Sequence, residues 1–308
     1  MPPLRVHIDT DLGGDPDDAC ALAMLLGWPD VEIVGITTNL DAGGRRAGCV
    51  AYCLSLAGRR DIPVACGAGA TLSKLEQFPS TWDDQRYWPK PVTPLPGRPG
   101  RALDLLRESI ATGASVVALG AFTNLALLEL PEPGCLRGVP IFATAGWLGS
   151  PGAGFPQWAP DKDFNVCCDP HAAQLVWDAE PALTLVAPTA SIKAHLRAAD
   201  LPRLKASGPI GELLARQGQA VADQFGNIAL GQAHAALPDD LLNFHWDPVT
   251  AAVAVGWPGC TLTEQRVRFD TEQPGFAPAT SGRAVRVITD IDAPGFRELW
   301  LRRVEALP

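Results

Sequence analysis

Five aspartates lie within ten residues near the start of the chain, between an apolar strand and an apolar helix. They are Asp9, Asp11, Asp15, Asp17 and Asp18. Carboxylates this close repel one another and destabilise a fold unless a cation neutralises them. Hard divalent cations such as Ca²⁺ and Mg²⁺ prefer carboxylate and carbonyl oxygens as ligands. Turns and helix caps account for one or two of the five, so the segment is predicted to bind a divalent metal ion.

Alternating strands and helices must position this acidic loop. Apolar runs rich in β-branched residues predict strands, with helices between most of them, at 4–8, 31–38, 62–65, 115–119, 139–144 and 183–187. This alternation is typical of an α/β fold with a mostly parallel central sheet and helices on both faces. Residues 260–269 and 282–289 alternate as edge strands do, which predicts a small C-terminal antiparallel extension. Because no repeat or linker divides the chain, residues 1–308 are predicted to form a single domain.

The loops at one edge of this sheet are where a ligand is expected, since ligands of parallel sheets bind beyond the carboxyl ends of the strands. Asp17 or Asp18 is expected to cap the first helix, and Asp247 is expected to cap a later one. Residues 67–100 form a long stretch rich in proline and aromatic residues. Such a stretch is either functional or an aromatic patch that packs beneath a loop, and both interpretations remain open.

Composition and charge exclude several classes of function. The 308 residues carry a formal net charge of −9, which argues against a nucleic-acid partner because that requires a basic face. No apolar run approaches the ~20 residues that span a bilayer, and no secretory signal is evident. The eight cysteines contain no C-x-x-C pair, which favours reduced thiols over zinc or disulfides. A cytoplasmic protein without a membrane partner is therefore predicted.

A strand that ends in D-x-D also begins the haloacid-dehalogenase-type phosphatases. In those enzymes the first aspartate is the nucleophile and Mg²⁺ binds beside it, so Asp9 would have that role here. They have no acidic pair such as Asp17 and Asp18 at the start of the following helix. A Mg²⁺-dependent phosphatase therefore stands as an alternative interpretation.

A longer set of motifs resembles the inosine/uridine-preferring nucleoside hydrolases, which are Ca²⁺-dependent N-ribohydrolases. The motifs occur in order as DTDLGGDPDDA, Ile36-Thr37-Thr38, Gly120 to Asn124, Asp163-Phe164-Asn165 with Asp169-Pro170, and Asp247-Pro248. The resemblance implies a Rossmann-like core and hydrolysis of a ribonucleoside to free base and ribose. It also implies a homodimer or homotetramer that acts in purine salvage or nucleoside catabolism.

The resemblance further implies a role for individual residues. Four positions would supply metal ligands: Asp11, Asp18, the backbone carbonyl of Leu119, and Asp247. Asp17 would be the general base that activates the attacking water. Asp163 and Asn165 would hold the ribose hydroxyls by hydrogen bonds.

The chain departs from the family pattern in its loops. The loop before Asp17 is two residues longer than in the best-known members, so Asp15 could replace Asp17 or Asp18 in either role. The usual Gly-Asn pair after the second strand is replaced by Asp41 and Ala42, and its ribose or metal contact would either pass to Asn39 or Asp41 or be absent. The usual Glu-Phe-Asn begins instead with an aspartate, one methylene shorter. These changes keep open a degenerate member that binds ribosides without turnover.

Trp246 stands where pyrimidine-accepting and nonspecific members have a histidine suited to protonating the leaving base. In the purine-specific branch, a tryptophan at this position sandwiches the base against an aromatic side chain from the long loop. Trp82 is the predicted partner here and Trp88 the substitute. The resemblance thus favours purine nucleosides, with pyrimidine or nicotinamide ribosides as alternatives and a core indole as the structural alternative for Trp246. If this segment is extended, His245 points away from the pocket and is not the missing acid.

Overall fold

The strands of the computed structural model, which describes residues 2–74 and 85–308, are named here in chain order. They are β1 Leu4–Thr10, β2 Val31–Thr38, β3 Val64–Cys66, β4 Ser115–Ala118, β5 Pro140–Thr144, β6 Ala182–Val186, β7 His195–Arg197, β8 Leu241–Phe244, β9 Cys260–Asp270, β10 Gly275–Pro278 and β11 Arg283–Ile291.

The α-helices follow the same convention. They are α1 Asp17–Leu26, α2 Arg45–Leu56, α3 Arg101–Ala111, α4 Thr123–Glu129, α5 Phe164–Cys168, α6 Pro170–Asp178, α7 Pro188–Ser191, α8 Leu201–Ala206, α9 Pro209–Phe225, α10 Asn227–Ala233, α11 Trp246–Ala254 and α12 Ala293–Glu305.

A nine-stranded sheet in the order β10-β9-β11-β6-β5-β4-β1-β2-β3 forms the centre of the described structure. The strands from β3 across to β11 pair in parallel, whereas β9 pairs antiparallel with both β11 and β10. The predicted mostly parallel α/β sheet with a C-terminal antiparallel extension is therefore confirmed. The chain runs from β1 outward through β2 and β3, then returns to β4 on the other side of β1. Such a reversal of strand order opens a crevice at the carboxyl ends of the two strands.

Helix α1 is apolar on every side because it is enclosed by other elements. It packs against α11 and α12, and residues 19–25 are all buried. The indole Nε1 of Trp300 on α12 donates a hydrogen bond of 3.1 Å to the carbonyl oxygen of Cys20. This packing fixes the start of α1, and with it the end of the acidic loop, against the rest of the core.

Two local predictions were wrong, and one pair of strands was missed. Pro16, rather than Asp17 or Asp18, precedes the first residue of α1, and both aspartates lie inside the first turn. Helix α11 begins at Trp246, so Asp247 also lies in a first turn instead of at the cap. The antiparallel pair β7–β8 has no counterpart among the predicted strands, because segments of three and four residues are too short to show a period.

In the described part of the chain, no helix combines the length and the apolar character needed to cross a membrane.

Candidate active site

The carboxyl ends of β1, β2, β4 and β5 bring the candidate residues to one edge of the sheet. The acidic loop follows β1, Asn39 follows β2, and Leu119 and Gly120 follow β4. Asp247 reaches the same place from α11, which packs against α1 and against β4 and β5. The crevice at the reversal of strand order is therefore lined with acidic side chains.

Asp17, Asp18 and Asp247 form a compact acidic cluster. One carboxylate oxygen from each lies within 4.8 Å of those of the other two. The three residues are only 6%, 4% and 3% exposed. A single ion could therefore touch all three carboxylates at once.

Burial raises the pKa of each of these three carboxyl groups well above its ordinary value, and the neighbouring aspartates raise it further. Asp18 accepts a hydrogen bond from the Thr10 hydroxyl, and Asp247 accepts one of 2.8 Å from Thr144. Asp17 shares a hydrogen bond with the carboxyl group of Asp15, which is itself acidic and supplies no compensating positive charge. The cluster thus has more buried negative charge than its donors can satisfy.

Asp11 lies beside the only cation found near these acids in the described structure. Its Oδ2 is 3.8 Å from Nη1 of Arg46, and that guanidinium opposes the rise in the Asp11 pKa that burial causes. A methyl carbon placed on Gly120 would lie 2.9 Å from Asp11 Oδ1. Glycine at position 120 therefore permits the close approach of Asp11 to the end of β4. Asp15 is partly buried, and its burial and the charge of Asp11 raise its pKa to about 6.

Asn165 ties two strand ends together. Its Nδ2 donates to the carbonyl oxygens of Leu119 at 2.7 Å and of Thr144 at 2.9 Å. Asp163 is buried and accepts a hydrogen bond of 2.7 Å from the Gly146 backbone N–H. Burial raises the pKa of Asp163 to about 6, against the lowering effect of the backbone N–H groups around it. Both residues border the crevice, and the Leu119 carbonyl is already one partner of this network.

Asn39 and Asp41, the two candidates after β2, differ in how many of their side-chain oxygens already accept hydrogen bonds. Asp41 accepts hydrogen bonds from Arg46 N and Ala47 N, both at 2.9 Å, and from Thr38 Oγ1 at 2.7 Å. It therefore holds the first turn of α2. Asn39 donates through Nδ2 to Asp9, but its Oδ1 is buried without a hydrogen-bond partner among the described residues.

Trp246 belongs to an aromatic cluster at the rim of the crevice. It stacks on Phe244 with a centroid distance of 4.7 Å and an interplanar angle of 20°, and Phe244 contacts Trp158 edge-on. Trp82 lies outside the described residues, so its predicted contact stays a prediction. Trp88 cannot substitute for it, because it is fully buried in the core, where it packs edge-on against Tyr52.

His245 points away from the crevice, although it directly precedes helix α11 and does not lie in the extended segment that the prediction assumed. Its ring packs against Phe296 and Trp300, and both ring nitrogens are buried without partners among the described residues. Burial lowers the pKa of His245 to about 3, so the ring is neutral. It cannot serve as an acid for a leaving base.

Several residues of this edge were missed by sequence reasoning. Thr10 and Thr144 each end a strand and donate to an acid of the cluster, and Trp158 joins the aromatic rim. A threonine at the last position of a parallel strand is the signal that could have found the first two, because strand ends face the ligand edge. Trp158 lies in an irregular segment without any such signal.

The residues present fit a hard divalent cation. The carboxylates of Asp17, Asp18 and Asp247 come from two helices and converge, and they are oxygen ligands of the kind that such ions prefer. Asn39 Oδ1, which accepts no hydrogen bond from the described residues, is a further oxygen that could serve as a ligand of such an ion.

Comparison with known proteins agrees with this geometry. A family model described as inosine-uridine preferring nucleoside hydrolase matches residues 6–298. The chain belongs to this family. It is 26% identical over 315 residues to a pyrimidine-specific ribonucleoside hydrolase of Salmonella paratyphi A, with 98% of each chain covered.

Solved structures of nucleoside hydrolases share the fold. A plant nucleoside hydrolase superposes with a TM-score of 0.80 at 23% identity, covering 98% of this chain and 99% of that one. A purine-preferring ribonucleoside hydrolase from Gardnerella vaginalis superposes with a TM-score of 0.78 at 18% identity, covering 98% of each. As a nucleoside hydrolase, the protein is an enzyme that hydrolyses N-glycosidic bonds, and the phosphatase interpretation loses its basis.

Proposed function

We propose that this nucleoside hydrolase cleaves purine ribonucleosides to free base and ribose with Ca²⁺ bound at the acidic cluster. The observation that carries the proposal is the meeting of three buried, under-donated carboxylates within 4.8 Å. Asp11, Asp18, Asp247 and the Leu119 carbonyl would hold the ion. Once bound, the ion neutralises the cluster and makes water more acidic. Ca²⁺ is favoured over Mg²⁺ because it accepts many protein oxygens in irregular geometry.

Asp17 is proposed as the general base. It lies among the other carboxylates, and its carboxyl group shares a hydrogen bond with that of Asp15 at the edge of the crevice. Burial and the neighbouring aspartates raise the pKa of Asp17 toward neutral pH, and a general base is most effective when its pKa lies near the working pH. Asp17 would remove the proton as water adds to C1′ of the ribose and the base departs. Neighbouring carboxylates would stabilise the positive charge that develops on the sugar.

Asp163 and Asn165 are proposed to orient the ribose. The backbone N–H of Gly146 donates to Oδ2 of Asp163, and the N–H groups of Trp147 and Val166 also engage this carboxylate, which fixes it at the crevice. Asn165 is held at two carbonyls and cannot swing out of the crevice. The ribose or metal contact expected after β2 is assigned to Asn39 instead of Asp41, because Asp41 already holds the start of α2.

The purine preference rests on Trp246. Its ring is only partly buried and is supported from behind by Phe244, so one face can stack on a base. An indole N–H is no useful acid for a leaving base, whereas a stacked purine can be protonated by solvent. A pyrimidine preference is the second candidate, since the Salmonella relative is pyrimidine-specific. We further propose a cytoplasmic homodimer or homotetramer in nucleoside salvage.

The test is release of ribose, measured by a reducing-sugar assay, from inosine, guanosine, adenosine, uridine and cytidine. Ribose should appear with Ca²⁺, disappear after chelation, and appear faster from the purine nucleosides. Faster release from uridine and cytidine would replace the purine preference with the pyrimidine one. No ribose from any nucleoside, with Ca²⁺ shown to be bound, would favour a riboside-binding protein without turnover.

A further inference from the structure

Asp9, at the end of β1, is a fully buried carboxylate to which the reaction assigns no role. Its Oδ1 accepts hydrogen bonds from Thr37 Oγ1 at 2.5 Å and from Asn124 Nδ2 at 2.7 Å. Its Oδ2 accepts one from Asn39 Nδ2 at 3.1 Å. Three residues from two segments of the chain, the end of β2 and the start of α4, thus donate to one side chain at the edge of the crevice.

Two of these donors cannot be reversed. Asn124 also donates through Nδ2 to the Thr38 carbonyl, while its Oδ1 accepts from Ala68 N, both at 2.9 Å. Turning this amide around would break all its bonds. Thr37 has a single hydroxyl proton, which it donates to Asp9. Its Oγ1 is also 2.9 Å from Nε2 of His7. The Oδ1 side of Asp9 is therefore a fixed acceptor position.

Asp9 dictates the direction of the Asn39 amide. An ionised carboxylate only accepts hydrogen bonds, so Asn39 must turn Nδ2 toward Asp9 and Oδ1 the opposite way. A methyl carbon placed on Gly120 would lie 2.6 Å from Asn39 Oδ1, 2.7 Å from Asn39 Nδ2 and 2.9 Å from Asp11 Oδ1. The Asn39 amide and the Asp11 carboxylate therefore lie against the same glycine, next to Leu119. Because Oδ1 has no partner among the described residues, a ligand is the group that would satisfy it.

We propose that Asp9 is a positioning residue that holds Asn39 with its oxygen toward the cation site, where Oδ1 is a neutral ligand of the ion. An amide oxygen beside carboxylates suits Ca²⁺, and it adds a ligand without adding repulsion. This inference rests on the proposed function, since it needs the cation.

Asp9→Asn is the decisive variant because an asparagine has only one acceptor oxygen. The fixed donors Asn124 and Thr37 keep that oxygen, so the new amide nitrogen faces Asn39. Asn39 must then turn over and present Nδ2 to Asp11 and the cation. Calorimetric titration of the chelator-treated protein should show Ca²⁺ affinity lowered at least about tenfold, the size typical of lost support for a ligand. Asn39→Ala, which removes the oxygen directly, should lower the affinity similarly.

The double variant Asp9→Asn/Asn39→Asp restores the hydrogen bond between positions 9 and 39 with donor and acceptor exchanged. It therefore separates an effect of the direction of this hydrogen bond from an effect of lost stability. Its aspartate at position 39 accepts from the new amide and still offers an oxygen to the ion. The double variant should recover Ca²⁺ affinity to within about threefold of wild type, since the two changes share one interaction. Asp200→Asn is the matched control, because Asp200 is also fully buried and pairs with Arg297 outside the crevice. It should lower the melting temperature and leave Ca²⁺ affinity unchanged.

Unchanged affinity in Asp9→Asn or in Asn39→Ala would overturn the inference, as would a loss that the double variant does not recover. Wild-type protein that binds Ca²⁺ and releases ribose would at the same time support the proposed function, so the two can fail separately. Wild-type protein that binds no Ca²⁺ would overturn both.

Discussion

Buried aspartates occur in this molecule in two opposite situations. Asp169, at the start of α6, accepts hydrogen bonds from Leu72 N, Ser73 N and Oγ, Thr123 Oγ1 and Ala172 N, at 2.7 to 3.3 Å. Asp17, Asp18 and Asp247 are buried as well, but the described chain supplies only two hydroxyl donors to the three of them.

The difference lies in which groups neutralise the buried charge. A buried carboxylate is tolerated when N–H and O–H groups surround it, and Asp169 is surrounded in this way. The cluster of three has too few donors, and its members raise one another's pKa. Burial alone therefore does not mark a functional aspartate, whereas burial without donors does.

The largest expected effect is on turnover. Asp17→Asn should lower kcat by about a thousandfold, because the general base is lost, and should leave Ca²⁺ affinity within about threefold of wild type. Asp15→Asn is the matched control in the same loop and should keep most of the activity. Ribose release and calcium calorimetry measure the two effects. If Asp15→Asn abolished turnover instead, the base would be Asp15.

The second prediction contrasts the two kinds of aspartate directly. Asp169→Asn should lower the free energy of unfolding by about 3 kcal/mol, because an amide nitrogen would face one set of donors. Asp18→Asn should not destabilise the metal-free protein, since it removes a repelling charge, but should abolish stabilisation by Ca²⁺. Urea unfolding in chelator and in Ca²⁺ measures both. A large loss of metal-free stability in Asp18→Asn would contradict the comparison.

Much of the fold is readable from sequence for reasons that these aspartates illustrate. The run VEIVGITT predicts β2 at its observed bounds because β-branched residues favour strands, and the spacing of the motifs predicts one ligand edge. The donors could not be predicted. Asp9 and Asp169 carry the same side chain, and what distinguishes them from Asp17 is contact with residues far along the chain. The β7–β8 pair was missed because it too depends on tertiary contact.

The third prediction concerns pH and the cation. Folding raises the pKa of the cluster carboxyls above 3.8, so the metal-free folded state binds more protons than the unfolded state. The contribution of these carboxyl groups to the stability of the metal-free protein should therefore be most favourable at low pH, and it should be lost as the pH rises through their raised pKa values. Protons also compete with Ca²⁺. The rise in melting temperature caused by Ca²⁺ should be larger at about pH 8 than at about pH 5.5, by calorimetry. An equal rise at both pH values would contradict the assignment.

The last prediction concerns the pH dependence of stability and the buried side chain of His245, which is neutral in the folded state. Its pKa falls from 6.5 to about 3, so the unfolded state gains a proton that the folded state lacks as pH drops below about 6.5. Each such histidine lowers the free energy of unfolding by about 1.4 kcal/mol per pH unit in that window. His245→Leu should flatten the slope by this amount, measured by urea unfolding at several pH values. An unchanged slope would show that His245 is protonated in the fold.

Calcium calorimetry on chelator-treated protein tests the central claim most directly, namely that the under-donated cluster is a cation site. Wild-type protein and Asp169→Asn should each bind one Ca²⁺, whereas Asp18→Asn should bind it weakly or not at all. Binding by Asp18→Asn with wild-type affinity, or no binding by wild type, would contradict the account.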